Sequence, residues 1–368
     1  MSKYIHQLTN WPQFHWSTER VSILLAEVRH RQGRLLGRME GLGFTLQAEA
    51  SLETLTLDVL KSSEIEGELL DPEQVRSSIA RRLGMDIAAL VPSDRHVDGV
   101  VEMMLDATQN YSGELTHERL FGWHAALFPA GRSGMHKIVT GAWRNNAPDD
   151  PMRVVSGAMG REVVHYEAPP SEVLYKEMDR FCHWFNTENS IDPVIKAAVA
   201  HLWFVTVHPF DDGNGRIARA IADMQLTRAD GAPQRFYSMS AQIRKDRTGY
   251  YDILEATQKG SLDITPWVEW FLGCLDRALT ATGETLAIVL NKAKFWEEHS
   301  ETSFNNRQVL LLNKLLNGFE GKLTSSKWAK IAKCSQDTAL RDIQNLVERG
   351  VLVKEDSGGR STSYVLGG

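Results

Sequence analysis

The chain is short of cysteine, of long apolar runs and of basic charge, and each shortage removes a class of function. Its three cysteines, Cys182, Cys274 and Cys334, have neither disulfide nor metal-ligand spacing in 368 residues. That excludes a disulfide scaffold and suits a reducing compartment. No apolar run reaches the ~20 residues of a membrane-spanning helix, and the opening Met1-Ser2-Lys3-Tyr4-Ile5-His6-Gln7 lacks the apolar core of a signal peptide. The expected location is the cytoplasm, with no membrane partner. A formal net charge of −6 argues against a nucleic-acid footprint over the whole chain. Internal repeats and low-complexity tracts are absent too. What is present, 42% hydrophobic and 24% charged residues, is ordinary for a soluble protein of two or three domains.

Within this composition one stretch carries chemistry: His208-Pro209-Phe210-Asp211-Asp212-Gly213-Asn214-Gly215-Arg216-Ile217-Ala218-Arg219. Before it, Asp192-Pro193 opens an apolar run to Val207, and a cap followed by proline starts a helix. After it, Ile217, Ala220, Ile221, Met224 and Leu226 recur at helical spacing until Asp230-Gly231. The stretch is therefore expected in a tight turn between two buried helices. Gly213 and Gly215 allow close backbone approach to a ligand, and the unpartnered amides that open the second helix form an anion site. Arg216 and Arg219, one turn apart, add positive charge on one face. Asp212 offers a hard oxygen ligand for a divalent ion such as Mg²⁺ beside phosphates. His208 is the one group here able to take a proton near neutral pH. Phe210 is expected in the core. Base, metal carboxylate, anion nest and two arginines together describe phosphoryl or nucleotidyl transfer.

The same string resembles, without a mismatch, the signature of the Fic family, His-Pro-Phe-x-(Asp/Glu)-Gly-Asn-Gly-Arg-x-x-Arg. The resemblance implies transfer of AMP from ATP to a Ser, Thr or Tyr hydroxyl of a target protein. His208 would be the catalytic base, Gly213, Asn214, Gly215, Arg216 and Arg219 the phosphate site, and Asp212 the Mg²⁺ ligand. A second motif lies upstream, where an expected helix from Thr45 ends in Ser62-Ser63-Glu64-Ile65-Glu66-Gly67. On the residues alone, Glu64, Glu66 and Glu68 read as a solvated acidic helix end, although acids there oppose the helix dipole by about a few tenths of a kcal/mol. Ser62-x-x-x-Glu66-Gly67 also resembles the inhibitory motif of regulated Fic proteins, (Ser/Thr)-x-x-x-Glu-(Gly/Asn). That resemblance implies that Glu66, framed by Ser62 and Gly67, pairs with Arg219 in a resting state.

The remaining chain reads as helices with one interruption. Helical patterns run from Val21 to about Gly41, Asp71 to about Leu83, Val97 to Asn110, Thr116 to an end at Phe128-Pro129 and Ser171 to Asn186. Trp11-Pro12-Gln13-Phe14-His15-Trp16 is expected to fold back onto the main body. His117, His124 and His136 fit no metal-ligand spacing. β-Branched residues around a glycine turn, Met152–Gly157 and Glu162–Tyr166, predict a hairpin. Its Fic counterpart is a flap beside the active site, so Val155, Ser156 and Gly157 are candidate contacts to ATP, and the flap edge could take a target segment by strand addition. Tyr250-Tyr251-Asp252-Ile253-Leu254 resembles the family's Tyr-Tyr-x-x-Leu, which makes Tyr250, Tyr251 and Gln258 candidates for the adenine and ribose. A helix from Thr265 is expected to close this core near Leu286.

From Phe304 onward three short helical patterns, Gly350-Val351-Leu352-Val353, a Gly-Gly-Arg turn and Ser363-Tyr364-Val365-Leu366 resemble a winged helix-turn-helix. Ten Lys and Arg against six Asp and Glu give residues 304–368 a net +4, which leaves −10 for residues 1–303. That excess permits DNA contact without favouring it over protein contact. The expected fold is thus mainly α: an N-terminal helical region with the 62–67 motif (1–110), a Fic catalytic core with its flap (111–287) and a winged-helix-like module (304–368). The expected function is autoinhibited protein adenylyl transfer with ATP and Mg²⁺, with a homodimer as a family expectation. Removal of AMP by the same site, or a nucleotide-sensing DNA-binding regulator, are the alternatives.

Overall fold

The computed structural model describes residues 4–85, 87, 90–157, 161, 163–316, 318–319, 321–355 and 362–367, with only the backbone at 284 and 285. The chain divides into two compact units, Met1–Leu83 with Pro92–Gly283, and Gly84–Val91 with Glu284–Gly368. Both are mainly helical.

The first unit contains α1 (Thr18–Glu40), α2 (Phe44–Ile65), α3 (Pro72–Arg82), α4 (Arg95–Gln109) and α5 (His117–Leu127). A small ribbon, β1 (Arg132–Ser133) with β2 (His136–Lys137), precedes the hairpin β3 (Arg153–Ser156) and β4 (Val163–Glu167). Then come α6 (Leu174–Thr187), α7 (Pro193–Val207), α8 (Asn214–Asp230), α9 (Met239–Lys245), α10 (Arg247–Gln258) and the start of α11 (Thr265–Glu298).

Local chemistry sets the helix ends. Asp192, Asp71, Asp94 and Thr116 each cap a helix by accepting a first-turn amide, and Pro193 and Pro72 occupy the first turn, where a missing N–H costs nothing. Gly231, left-handed at φ 72°, stops α8. α7 is the centre of the unit. Every residue from Val194 to Val207 is buried, as expected of a helix that is apolar all round. α8 packs along it, so the turn between them is held from both sides. Elsewhere α4 crosses α5 closely enough that a Cβ on Gly99 would overlap the carbonyl of Ala126. The aromatic N-terminus docks as expected: Trp11 and Phe14 meet Trp203 edge-on at 6.2 and 5.9 Å, and Trp11 Nε1 donates to Glu177 at 2.8 Å.

α1 runs through Gly33 and Gly37, as the helical pattern to about Gly41 predicts, because Val21, Val28, Leu35 and Met39 are buried along one stripe and offset the ~1 kcal/mol that each helical glycine costs. Two features differ from expectation. α11 continues past Leu286 to Glu298, since nothing but Gly283 interrupts its pattern. The β1–β2 ribbon, two residues per strand, is too short to show a period.

The second unit contains the latter part of α11, then α12 (Asn306–Leu316), α13 (Ser325–Ile331) and α14 (Gln336–Glu348). An antiparallel pair follows, β5 (Leu352–Lys354) with β6 (Tyr364–Leu366). Phe295, Leu311, Leu312, Trp328, Ile343, Leu346 and Leu352 form its core. The Gly-Gly-Arg turn between the strands lies outside the described residues, as does Glu162 of the hairpin.

Candidate active site

The α7–α8 turn starts at His208, which caps α7 in the left-handed region at φ 50° and ψ 57°. This conformation is uncommon for a residue with a Cβ. It is held by Arg144, a buried side chain that reading the sequence did not single out. Arg144 Nε donates to the His208 carbonyl at 2.8 Å, its Nη2 to Pro169 O at 2.6 Å, and its backbone N–H to Pro209 O at 2.9 Å. The His208 ring sends Nδ1 to Val205 O at 3.2 Å. A carbonyl can only accept, so Nδ1 carries the proton and Nε2 keeps its lone pair. Burial lowers the His208 pKa to about 4, against the pull of its Val205 contact. The imidazole is therefore neutral at pH 7.

Phe210 is fully buried, as expected, and stacks on His124 with ring centroids 4.2 Å apart. Asn214 fixes this anchor: its Oδ1 accepts from Phe210 N at 3.0 Å, and its Nδ2 donates to Phe210 O at 2.8 Å. Its side chain thus braces the turn, which leaves the backbone N–H for a ligand. Gly213 is left-handed at φ 80°, and a Cβ there would come within 2.9 Å of the Phe128 ring. The first backbone bond that closes α8 runs from Ile217 N to Gly213 O, so the amides just before it lack helical acceptors. Asp212 accepts from Gly213 N at 2.6 Å and from the Ser133 hydroxyl. Each carboxylate oxygen has a second lone pair, so this side chain retains capacity for a cation shared with phosphates. Among the described residues no group of three His, Cys, Asp or Glu could hold a metal by itself.

Arg216 and Arg219 are both buried, and both meet carboxylates from the turn that ends α2. Arg219 Nη2 lies 2.8 Å from Glu66 Oε1, with 2% of the arginine side chain exposed against 31% of the glutamate. Its Nε donates to Ser62 Oγ at 2.9 Å, and Nη2 donates to Ser62 O at 2.8 Å. Burial alone would lower the Arg219 pKa, but Glu66, with Tyr250 and Tyr251 adding to it, raises the value. Arg216 Nη1 donates to Glu68 Oε2 at 2.7 Å, and its guanidinium lies 5.1 Å above Phe128. Among the described residues, Arg216 Nε and Arg219 Nη1 are buried without a hydrogen-bond acceptor. Gly67, at φ 84°, turns the chain between the two glutamates, and a Cβ on Gly215 would overlap Glu66.

The other candidates separate into two groups. Tyr251 reaches this cluster, donating to Glu66 Oε2 at 3.3 Å. Tyr250 touches both sides: its hydroxyl is 2.9 Å from His201 Nε2 of α7, and it also interacts with Arg219. Gln258 faces α7 alone, its Nε2 donating to Thr206 Oγ1 at 3.3 Å. On the hairpin, Val155, Ser156 and Gly157 are exposed, and the register shifts between Val154 and Val155. Ser156 Oγ and His165 Nε2 are 2.6 Å apart, and His165 Nδ1 is 2.6 Å from Glu255 of α10. Arg144, Glu68, His96, Ser133 and Phe128 complete the surroundings of the turn; no motif or spacing marks them in the sequence.

Similarity to known proteins converges on the same stretch. Residues 114–226 match the family model described as Fic/DOC family, and residues 4–85 match one described as a domain of unknown function (DUF4172). A protein adenylyltransferase Fic of Drosophila grimshawi is 39% identical over 104 residues, covering 28% of this chain and 20% of that protein. One from Drosophila virilis is 27% identical over 241 residues, covering 62% and 43%. The chain thus spans less than half the length of these curated relatives. In fold, it is similar to a Fic family protein from Desulfovibrio desulfuricans, with a TM-score of 0.54, 22% identity and coverage of 96% of this chain and 98% of the other.

Proposed function

We propose that this chain, a Fic-domain protein, is a protein adenylyltransferase that moves AMP from ATP to a hydroxyl of a target protein, restrained by Glu66 at Arg219. One observation carries the reading: a neutral, half-buried His208 with a free Nε2 lone pair shares a turn with two buried arginines, each with an unused N–H. A buried guanidinium that is only partly satisfied is costly unless an anion completes it. Phosphates would.

The triphosphate docks on the open amides of α8 and on Arg216, and Arg219 takes the terminal phosphate once Glu66 leaves. His208 Nε2 accepts the proton of the target hydroxyl. The hydroxyl oxygen forms a bond to the α-phosphorus as the bond to the β-phosphate oxygen breaks, and pyrophosphate departs. Asp212 would hold Mg²⁺ beside the phosphates, where the ion neutralises charge. Little covalent work falls to the side chains; orientation and charge placement supply the rate. The exposed edge at Val155 and Ser156 suits a target segment added as a strand, with the acceptor carried past His208.

In this chain residues 1–110 are a helical region bearing the 62–67 restraint, 111–287 the catalytic core, and 304–368 a winged-helix-type module for contacts with other macromolecules. The test is AMP incorporation from α-labelled ATP with Mg²⁺ in the parent chain, Glu66→Gly and His208→Ala. Strong labelling is expected for Glu66→Gly and weak labelling for the parent. Combining His208→Ala with Glu66→Gly should lower labelling by about 10²–10⁴-fold. Equal, negligible labelling in all of them overturns the reading. Free AMP released from a modified protein, with no incorporation, would assign the reverse reaction.

A further inference from the structure

Glu66 is one of two carboxylates on the phosphate-site arginines. Glu68, two residues on, divides its oxygens between an arginine and a histidine: Oε2 lies 2.7 Å from Arg216 Nη1, and Oε1 lies 2.7 Å from His96 Nε2. Arg216 is almost wholly buried, with 5% of its side chain exposed. The carboxylate therefore occupies a donor that solvent hardly reaches, where a phosphate oxygen could otherwise sit. The backbone fixes the match. Glu68 N donates to Ser63 O at 3.0 Å and Gly67 N to Glu64 O at 3.1 Å, so both glutamates belong to one capping turn. Arg247 Nε holds that turn through Ile65 O at 2.7 Å. Arg216 and Arg219 are three apart on α8, hence neighbours on one face, and the two carboxylates meet them one to one.

We infer that Glu68 is a second restraint on the nucleotide site, occupying Arg216 as Glu66 occupies Arg219 and tied to α4 through His96. The inference rests on the reading of this loop as a triphosphate site and names a regulatory residue within it. Removing Glu66 frees Arg219 alone. Arg216 stays engaged, and the affinity for a polyphosphate is still reduced by the fraction of molecules in which Glu68 is seated. His96 is the anchor. Without it one carboxylate oxygen loses its partner, and Glu68 can swing to solvent, which already reaches about a third of its side chain.

The experiment is calorimetric titration of ATP with Mg²⁺, and of AMP as a control lacking the outer phosphates, into four chains: the parent, Glu66→Gly, Glu66→Gly with Glu68→Gln, and Glu66→Gly with His96→Asn. Glutamine keeps the size of Glu68 and removes its charge. Relative to Glu66→Gly, the Glu68→Gln chain is expected to bind ATP about tenfold more tightly, with AMP affinity little changed, and His96→Asn should give part of that gain. Unchanged or weaker ATP binding on adding Glu68→Gln overturns the inference, because Glu68 would then be neutral or would orient Arg216 for the ligand. AMP transfer by the same chains is read separately. Tighter ATP binding without transfer keeps the second restraint and removes the adenylyltransferase reading. No ATP binding by any of the four removes both.

Discussion

Arg144 Nε donates to the carbonyl oxygen of His208 at 2.8 Å, and the same guanidinium reaches Pro169 O at 2.6 Å and Asn146 Oδ1 at 2.6 Å. One buried side chain thus ties the end of α7 to the segment after β4 and stabilises the left-handed His208. Burial pulls the Arg144 pKa down to about 10, so it stays charged at neutral pH. Truncation to alanine leaves buried carbonyls unpaired at about 1–3 kcal/mol each. Arg144→Ala is expected to lose about 3 kcal/mol or more in urea unfolding. Arg144→Lys should recover only part, since an ammonium cannot span the fork. A stability loss below about 1 kcal/mol would mean that the turn holds its shape by other means.

Gly213 gives a second test of the turn. Its φ of 80° costs a residue with a Cβ about 1–2 kcal/mol. Crowding of the new methyl against Phe128 adds about 1–3 kcal/mol. Gly213→Ala is therefore expected to lower stability by roughly 2–5 kcal/mol, and to reduce AMP transfer further in the Glu66→Gly background. Thermal melts and labelling in the same chain decide it. An unchanged melting temperature would show that α8 can begin without this conformation.

Local chemistry was legible in the sequence, and long-range pairing was not. Asp192-Pro193 and Asp230-Gly231 mark the ends of α7 and α8 because caps and breakers act within a turn of themselves. Phe210 was legible as core from its place between two apolar helices. The nearness of Glu66 to Arg219 could be expected only through resemblance, since 153 positions separate them in the sequence. Glu68 looked like one more solvated acid, although its carboxylate meets an arginine 148 residues away. Arg144 precedes the hairpin pattern and carries no spacing signal. Asn214 sits in the motif as a presumed phosphate ligand, yet its side chain spends both polar atoms on Phe210. Residue type alone does not tell a ligand from a brace.

Two buried histidines predict how stability responds to acid. Burial lowers the His124 pKa to about 4 and that of His201 to about 3, with Arg219 adding to the second. The ordinary value is 6.5, so below it the unfolded chain takes up protons that the folded chain refuses. Stability is therefore full above about 6.5 and falls as pH drops towards 4. The His124 contribution is of the order of 3 kcal/mol, at about 1.4 kcal/mol per unit. Melting temperatures from pH 7.5 to 4.5 should decline steadily below pH 6.5, and His201→Asn should flatten part of the slope. A profile level down to pH 4.5 would count against neutral burial of these rings.

The last prediction concerns the support beneath the site. Arg235 and Asp223 of α8 are both fully buried, with Nη2 and Oδ1 2.7 Å apart. Arg235 Nη1 also reaches Asp223 O at 3.1 Å. Desolvation and the neighbouring Asp58 of α2 push the Asp223 pKa up, against the pull of Arg235. Asp58 itself accepts from Ser238 and from Ser240 N, so two carboxylates and one arginine join α2, α8 and the segment before α9. The two ends of the Arg235–Asp223 pair then differ in worth. Arg235→Leu leaves two carboxylates facing each other without a cation, and the loss should be about 3–5 kcal/mol, as for other broken buried pairs. Asp223→Asn relieves the repulsion from Asp58 while keeping a neutral acceptor for Arg235, so its loss should be clearly smaller. Urea denaturation of the two variants orders them. Equal losses would show that Asp58 and Asp223 do not oppose each other, and a larger loss for Asp223→Asn would make the ion pair itself the principal contribution.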